Sequence, residues 1–246
     1  MIKGVQKSCG YTSLTILFLI LFLNGCSTTS VHHATDFSKS QTQTQIKCIL
    51  LMPMDIELST LTTGGMLKPE AEWTANAKKH VEAALRDRFE KKNIRLLSGK
   101  DVTDVALTRE ETDKQLQLVK LHEAVGQSIL IHQYIPELKL PSKGKTFEWS
   151  LGPEAAYLKE KYGADCALFV YLRDSYASAG RVAFMIAGAV LGVGVPLGQQ
   201  VGFASLVELD TGRIIWFNRL QNAAGDLRTE SAAGNSVNYL MSDFPI

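Results

Sequence analysis

The stretch Gly163-Ala164-Asp165-Cys166-Ala167-Leu168-Phe169-Val170-Tyr171-Leu172 decides the fold. A glycine-containing turn runs into seven uncharged residues that show no apolar–polar alternation. A strand with one wet face would alternate with a period of two, so this run fits a strand covered on both sides. Its sheet neighbours follow in the chain. Residues 201–209 and 213–220 are strand-like runs on either side of Asp210-Thr211-Gly212, where glycine suits a positive φ, and the pair reads as a hairpin. Residues 229–242 read as a closing helix.

Upstream, Cys48-Ile49-Leu50-Leu51-Met52-Pro53 is a second continuous apolar run. Pro69 then opens a helix over about residues 70–92, at a first-turn position where its missing donor does no harm. Trp73, Ala77, Val81, Ala84, Leu85 and Phe89 form its buried stripe, with Lys78, Glu82, Arg86 and Glu90 opposite. Ile94-Arg95-Leu96-Leu97 is a short strand. Thr108-Arg109-Glu110-Glu111 has the capping-box pattern. It starts a second helix with the stripe Leu118, Leu121, Val125 and Ile129, and His122 is expected beside that stripe on the helix surface. Residues 134–152 read as a long connection, and Pro153 begins a short helix to Tyr162. Strand–helix alternation followed by a hairpin predicts an α/β (α+β) fold: one layered domain over residues 47–246, with a mixed sheet flanked by helices.

The amino terminus is organised differently. Lys3 and Lys7 precede Leu14-Thr15-Ile16-Leu17-Phe18-Leu19-Ile20-Leu21-Phe22-Leu23, a ten-residue run that is apolar at nine positions. A bilayer span needs about 20 apolar residues, whereas the core of a secretory signal is this short. The run ends in Leu23-Asn24-Gly25-Cys26, the lipobox pattern of bacterial lipoproteins. Gly25 lets the peptidase reach the bond, and the thiol of Cys26 carries the diacylglycerol. Residues 1–25 are therefore expected to be a signal peptide and Cys26 the lipidated first residue of the mature chain. Ser27 follows, where an aspartate would favour retention in the inner membrane. By resemblance to sorting in Gram-negative cells, the expected address is the periplasmic face of the outer membrane. Residues 27–46 are dominated by Ser, Thr and Gln without apolar periodicity, and read as a flexible, solvated tether that includes His32-His33.

Removing residues 1–25 takes away two lysines and no acid, which leaves 221 residues with 24 basic and 25 acidic groups. That balance, without a basic stripe, gives no sign of a nucleic-acid partner. Cys48 and Cys166 both sit in strand-like runs. The periplasm permits a disulfide between them, and two buried thiols are the alternative.

Chemistry-bearing motifs are sparse. No G-x-S-x-G, H-E-x-x-H or C-x-x-C pattern occurs. Leu209-Asp210-Thr211-Gly212 looks like the triplet of aspartic proteases, but Arg213 follows it and a turn is wanted there. No catalytic residue, cofactor or metal ligand is assigned. The unusual feature is residues 182–207, 26 in a row without a charge. Over residues 182–195 the run is almost wholly apolar, with Gly188 and Gly192 at a spacing that lets helices approach. Phe184, Met185, Ile186, Val190 and Leu191 are candidate contact residues of an interface with another subunit or with lipid; a core segment and a membrane-associated one are the other readings. The polar loop Arg173–Arg181 precedes it.

Together, the lipobox, the Ser/Thr tether, the apolar strand ending Met52-Pro53, the Gly163-Ala164-Asp165 turn with its strand, and Val207-Glu208-Leu209-Asp210-Thr211-Gly212-Arg213-Ile214-Ile215-Trp216-Phe217-Asn218 resemble uncharacterised outer-membrane lipoproteins. Their fold is similar to the curli-secretion-channel family, the Pel polysaccharide lipoprotein and the amino-terminal domain of TolB. The resemblance implies a non-enzymatic envelope component, often oligomeric, that serves export or assembly as a scaffold or accessory subunit with a protein partner or further copies of itself. Residues 182–195 lack the alternation of a membrane strand, which sets the chain apart from the curli channel. A periplasmic hydrolase and a small-ligand-binding module are the alternatives.

Overall fold

The structure is a computed structural model that describes residues 27–34, 46–99, 101, 107–143, 146–222 and 225–245. Among them are the strands β1 (Ser27–His33), β2 (Cys48–Leu51), β3 (Asp55–Leu61), β4 (Leu67–Pro69), β5 (Arg95–Leu97), β6 (Cys166–Ala177), β7 (Gln200–Glu208) and β8 (Ile214–Asn222). The α-helices are α1 (Ala71–Glu90), α2 (Arg109–Tyr134), α3 (Ala156–Tyr162), α4 (Ala179–Val190) and α5 (Glu230–Leu240). All the strands join one mixed sheet in the order β1-β8-β7-β6-β2-β5, with β3 also on β6 and β4 on β3. The α/β architecture, the carboxy-terminal hairpin and the closing helix follow the sequence expectation.

The apolar run quoted first becomes the twelve-residue strand β6. One edge of β6 is shared: its first part pairs in parallel with β2, from Ile49↔Cys166 to Leu51↔Leu168. Its later part pairs in parallel with β3, from Asp55↔Tyr171 to Leu61↔Ala177. Met52, Pro53 and Met54 separate the two, and Pro53 has no donor to give a ladder. The other edge pairs antiparallel with β7.

Both faces are covered, as the lack of alternation requires. On one side α1 and α5 pack over Ile49, Leu51, Leu168, Val170, Leu206 and Trp216. Ala77, Val81, Leu85 and Phe89 form the buried stripe of α1, at intervals of four. On the other side α2 and α3 cover Leu50, Phe169, Phe203 and Phe217. Cys48 lies on this second face and Cys166 on the first. Thiols that point to opposite faces of a sheet cannot be bridged. Both are free and buried, and burial pushes the Cys166 thiol up.

The amino-terminal reading needs a correction. Ser27–His33 is not a tether but an edge strand, paired antiparallel with β8 from Ser27↔Asn222 to His33↔Trp216. The backbone of an edge strand needs only an open neighbouring edge, so no apolar pattern announced it. Side chains add to the ladder. Tyr134 Oη donates to the Ser30 carbonyl at 2.7 Å. His32 stacks on Phe147 with ring centroids 5.4 Å apart, and His33 Nε2 lies 3.1 Å from Asp243 Oδ2. The histidine pair is therefore not solvated; burial and the neighbouring His33 lower the pKa of His32. Residues 1–26 and 35–45, which hold the signal, Cys26 and the rest of the tether, lie outside the described residues. The connection 134–152 is also less plain than expected: it contains turns of 3-10 helix at Pro136–Leu138 and Pro141–Lys143, and Ser150 bridges to Arg213.

Helix α2 comes close to the sheet at Gly126. A Cβ there would fall 2.1 Å from Phe203 Cε2, on a ring that is fully buried between Tyr171 and Phe217. Gly→Ala in a helix normally gains up to about 1 kcal/mol. Here the collision should reverse the sign: Gly126→Ala is expected to destabilise by about 1–3 kcal/mol in a denaturant titration. A stabilised variant would contradict this packing.

Candidate functional site

The end of β6 is fixed by a buried carboxylate. Asp174, 2% exposed, accepts hydrogen bonds from Tyr176 Oη (2.5 Å), Gln200 Nε2 (2.9 Å) and the Leu227 amide (3.1 Å). Burial raises its carboxyl above the ordinary range, and those three donors oppose the shift. The Arg228 guanidinium lies 3.7 Å from the Tyr176 ring centroid and closes the outside of the cluster. An aspartate at the end of an apolar run was the sequence signal for this cluster, and it was read only as part of a polar loop.

From this clamp the chain turns into α4. The Ser178 side chain caps the helix by accepting from the Arg181 amide at 3.2 Å. Arg181 then holds the base: Nε donates to the Pro196 carbonyl at 3.0 Å and Nη1 to the Thr63 carbonyl at 3.3 Å. Thr63 lies in the turn between β3 and β4, where Met66 is also exposed, as is Leu67 at the start of β4. Sequence reasoning placed Arg181 in the polar loop and did not foresee its two carbonyl partners, which lie 118 and 15 residues away.

The candidate contact residues all fall on α4 or its cap. Phe184 is 54% exposed, Ile186 58%, Val190 84% and Leu191 80%, and Met185 is partly exposed. No residue of α4 is buried, so the segment is not core. Gly188 and Gly192 serve the helix end rather than a helix–helix contact. Gly192 has φ +75° just past the cap at Leu191, the Gly192 amide donates to Ala189 and the Val193 amide to Gly188 at 2.8 Å. That bond pattern is a Schellman stop. Among the described residues no helix is long and apolar enough to cross a membrane.

Other reactive groups are held in structural bonds. His122 is not on the surface: it is 2% exposed, stacked on Phe169, and its Nε2 lies 2.8 Å from the Oγ of Ser205, which is fully buried. This is a nucleophile–base pair by residue type, sealed between helix and sheet. Burial pushes the imidazole down to about 3, so it is neutral. Asp210 forms a salt bridge with Lys159 at 2.6 Å in the β7–β8 turn. Gly212, at φ +70°, lies against Gly152, whose oxygen would be 1.8 Å from an added Cβ. The triplet is thus a turn. Asp165 accepts from the Lys47 and Cys48 amides at 2.9 and 3.0 Å and so ties the start of β2 to β6. Among the described residues no group of three His, Cys, Asp or Glu side chains could hold a metal. A groove of about 460 Å³ lies between α2 and α3, lined by Lys114, Leu118, Leu121, Pro153, Glu154 and Tyr157.

No family model and no curated protein sequence matches this chain. Among solved structures it is similar to the PelC dodecamer from Paraburkholderia phytofirmans, at 8% identity and a TM-score of 0.38 over 88% of this chain and 96% of that one. A single-substitution variant of that dodecamer gives 7% identity and a TM-score of 0.37 over 90% and 98%. Geometry shared that loosely carries no function across.

Two measurements check these assignments. With a folded-state value near 3 and an unfolded one near 6.5, the unfolded chain binds the extra proton. Stability supplied by neutral His122 is therefore complete above about pH 6.5 and falls as pH drops towards 3, by at most about 1.4 kcal/mol per pH unit. His122→Gln should flatten that slope in unfolding titrations; an unchanged slope would rule His122 out as its source. In the turn, Asp210→Asn should cost less than about 1 kcal/mol, as an exposed pair does. Gly212→Val should cost several-fold more, because a β-branched residue resists positive φ.

Proposed function

We propose that this chain is a lipid-anchored, non-enzymatic protein of the periplasmic face of the outer membrane, acting as a scaffold or accessory subunit in export or assembly with a protein partner or further copies of itself. The observation that carries the reading is the register of β1. Ser27, one residue after the lipobox cysteine, is already paired with Asn222 in the sheet. A lipid on Cys26 then joins the folded domain directly, within about 3.8 Å of a strand residue. The domain is held at a set orientation, which suits a part that must present one face to a partner. The non-catalytic side of the reading is supported by burial and by turn geometry: His122 and Ser205 are sealed from solvent, and Asp210 is paired with Lys159 in a turn.

A second reading, a small-ligand-binding module, rests on the groove between α2 and α3. The Tyr157 hydroxyl on its wall is buried without a hydrogen-bond partner among the described residues, and burial raises it to about 12. A ligand acceptor would complete it.

Palmitate labelling of cells that express the full chain should mark the protein, and Cys26→Ala should lose both label and outer-membrane fractionation. Crosslinking in intact cells with mass spectrometry should then recover either one partner or links between copies. An unlabelled wild type would refute the anchor. Tyr157→Phe should leave crosslinks and fractionation unchanged; their loss would favour the groove instead.

A further inference from the structure

We propose that α4 and its return leg form a second membrane contact, carried by the polypeptide itself, which enters the headgroup–acyl boundary of the leaflet that holds the lipid on Cys26. The inference rests on the anchor reading for the leaflet it names, but not for the contact itself.

Register supplies the geometry. Ser27 is opposite Asn222, Asn222 is opposite Gln200 and Gln200 is opposite Asp174. These four residues form one row across β1, β8, β7 and β6. Three inter-strand steps of about 4.8 Å put the start of β1 roughly 14 Å from β6. Strand β6 continues past that row to Ala177, and α4 begins at Ala179. The lipobox cysteine and the exposed helix therefore leave the same end of the sheet, within roughly 20 Å of each other. Met66 in the β3–β4 turn and Leu67 at the start of β4, 72% and 61% exposed, add to that end.

The surface of the helix is apolar all round. At 100° per residue, Val182, Ile186 and Val190 fall on one side, with Phe184 and Leu191 opposite. A protein partner covers one stripe, whereas a helix with apolar groups on every side needs surroundings that are apolar on every side.

Length and backbone set the depth. Twelve residues make about 18 Å of helix against a hydrocarbon core of about 30 Å, so the segment cannot span it. Its return leg, residues 191–199, is irregular, and unpaired backbone is not tolerated deep in hydrocarbon. Entry short of the midplane, with the return leg kept near the headgroups, satisfies both limits. Charge agrees with that placement. Residues 182–207 carry none, while Arg181 sits at the base of the helix.

The test uses the full protein, processed in cells, reconstituted in vesicles of phosphatidylethanolamine and phosphatidylglycerol. Cys48 and Cys166 are buried, so an added thiol labels selectively. An environment-sensitive fluorophore on Ile186→Cys should shift to the blue and be quenched by lipids with a doxyl group near the head of the acyl chain. The same probe on Lys159→Cys, beside the β7–β8 turn at the opposite end, should not respond. Ile186→Asp with Val190→Asp should abolish the contact and leave thermal unfolding unchanged, since no residue of α4 is buried. No lipid quenching at position 186 overturns the proposal, and disulfide links between copies through Ile186→Cys would identify a second copy as the occupant instead. If palmitate does not label the protein, the anchor reading fails separately. The unlipidated chain must then float with the vesicles and lose about tenfold of its partitioning in the double aspartate variant; a chain that does not float overturns the contact as well.

Discussion

The fold depends on the backbone of β6. Its twelve residues serve three partner strands and have helices over both faces, so each donor and acceptor must be met inside the sheet. Two aspartates guard its ends. Asp165 accepts the amides of Lys47 and Cys48 just before the strand begins, which aligns β2. Asp174 accepts from Tyr176, Gln200 and Leu227 near its far end, which joins β7 and the segment leading to α5. The Gly163 turn, in left-handed conformation at φ +64°, delivers the chain into this position. Everything else in the sheet takes its register from this strand.

What the sequence disclosed follows from how side chains are used. Strands β2, β6 and β7 are covered on two faces, so their residues had to be apolar and the runs were visible. The stripes of α1 and the capping box at Thr108 were visible because each is a local pattern that the helix itself requires. Strand β1 was not visible. Its pairing with β8 uses backbone groups that every residue has, and Ser-Thr-Thr-Ser-Val-His-His has no apolar alternation to announce it, although Val31 packs on the core and His32 on Phe147. His122 was misplaced for a related reason. Its position beside the stripe is correct, but the partners that bury it, Phe169, Phe203 and Ser205, come from strands distant in sequence.

The candidate segment was legible as composition but not as conformation. The absence of charge between residues 182 and 207 marked it, while the glycines invited a helix-pairing reading. In the structure Gly192 ends the helix and Gly188 lets Val193 and Val195 fold back against it. One spacing thus has two physical meanings, and only the bonds of the Val193 amide and Arg181 distinguish them. The clamp at Asp174 matters here too, because it ties the strand end under α4 to β7 and to Leu227. The helix projects from a fixed strand end rather than from a loop.

The annealing of β1 changes what an anchor can do. Twenty residues of free tether would have ends roughly 25 Å apart on average and would leave the domain to tumble. With β1 zipped to β8, that freedom is gone. Peeling the strand would have to break its ladder, the Tyr134 bond to Ser30, the His32 stack and the His33 contact with Asp243. Strand β1 is thus a local addition at the sheet edge, whereas the core behind it, from β8 to β2, is sealed on both faces.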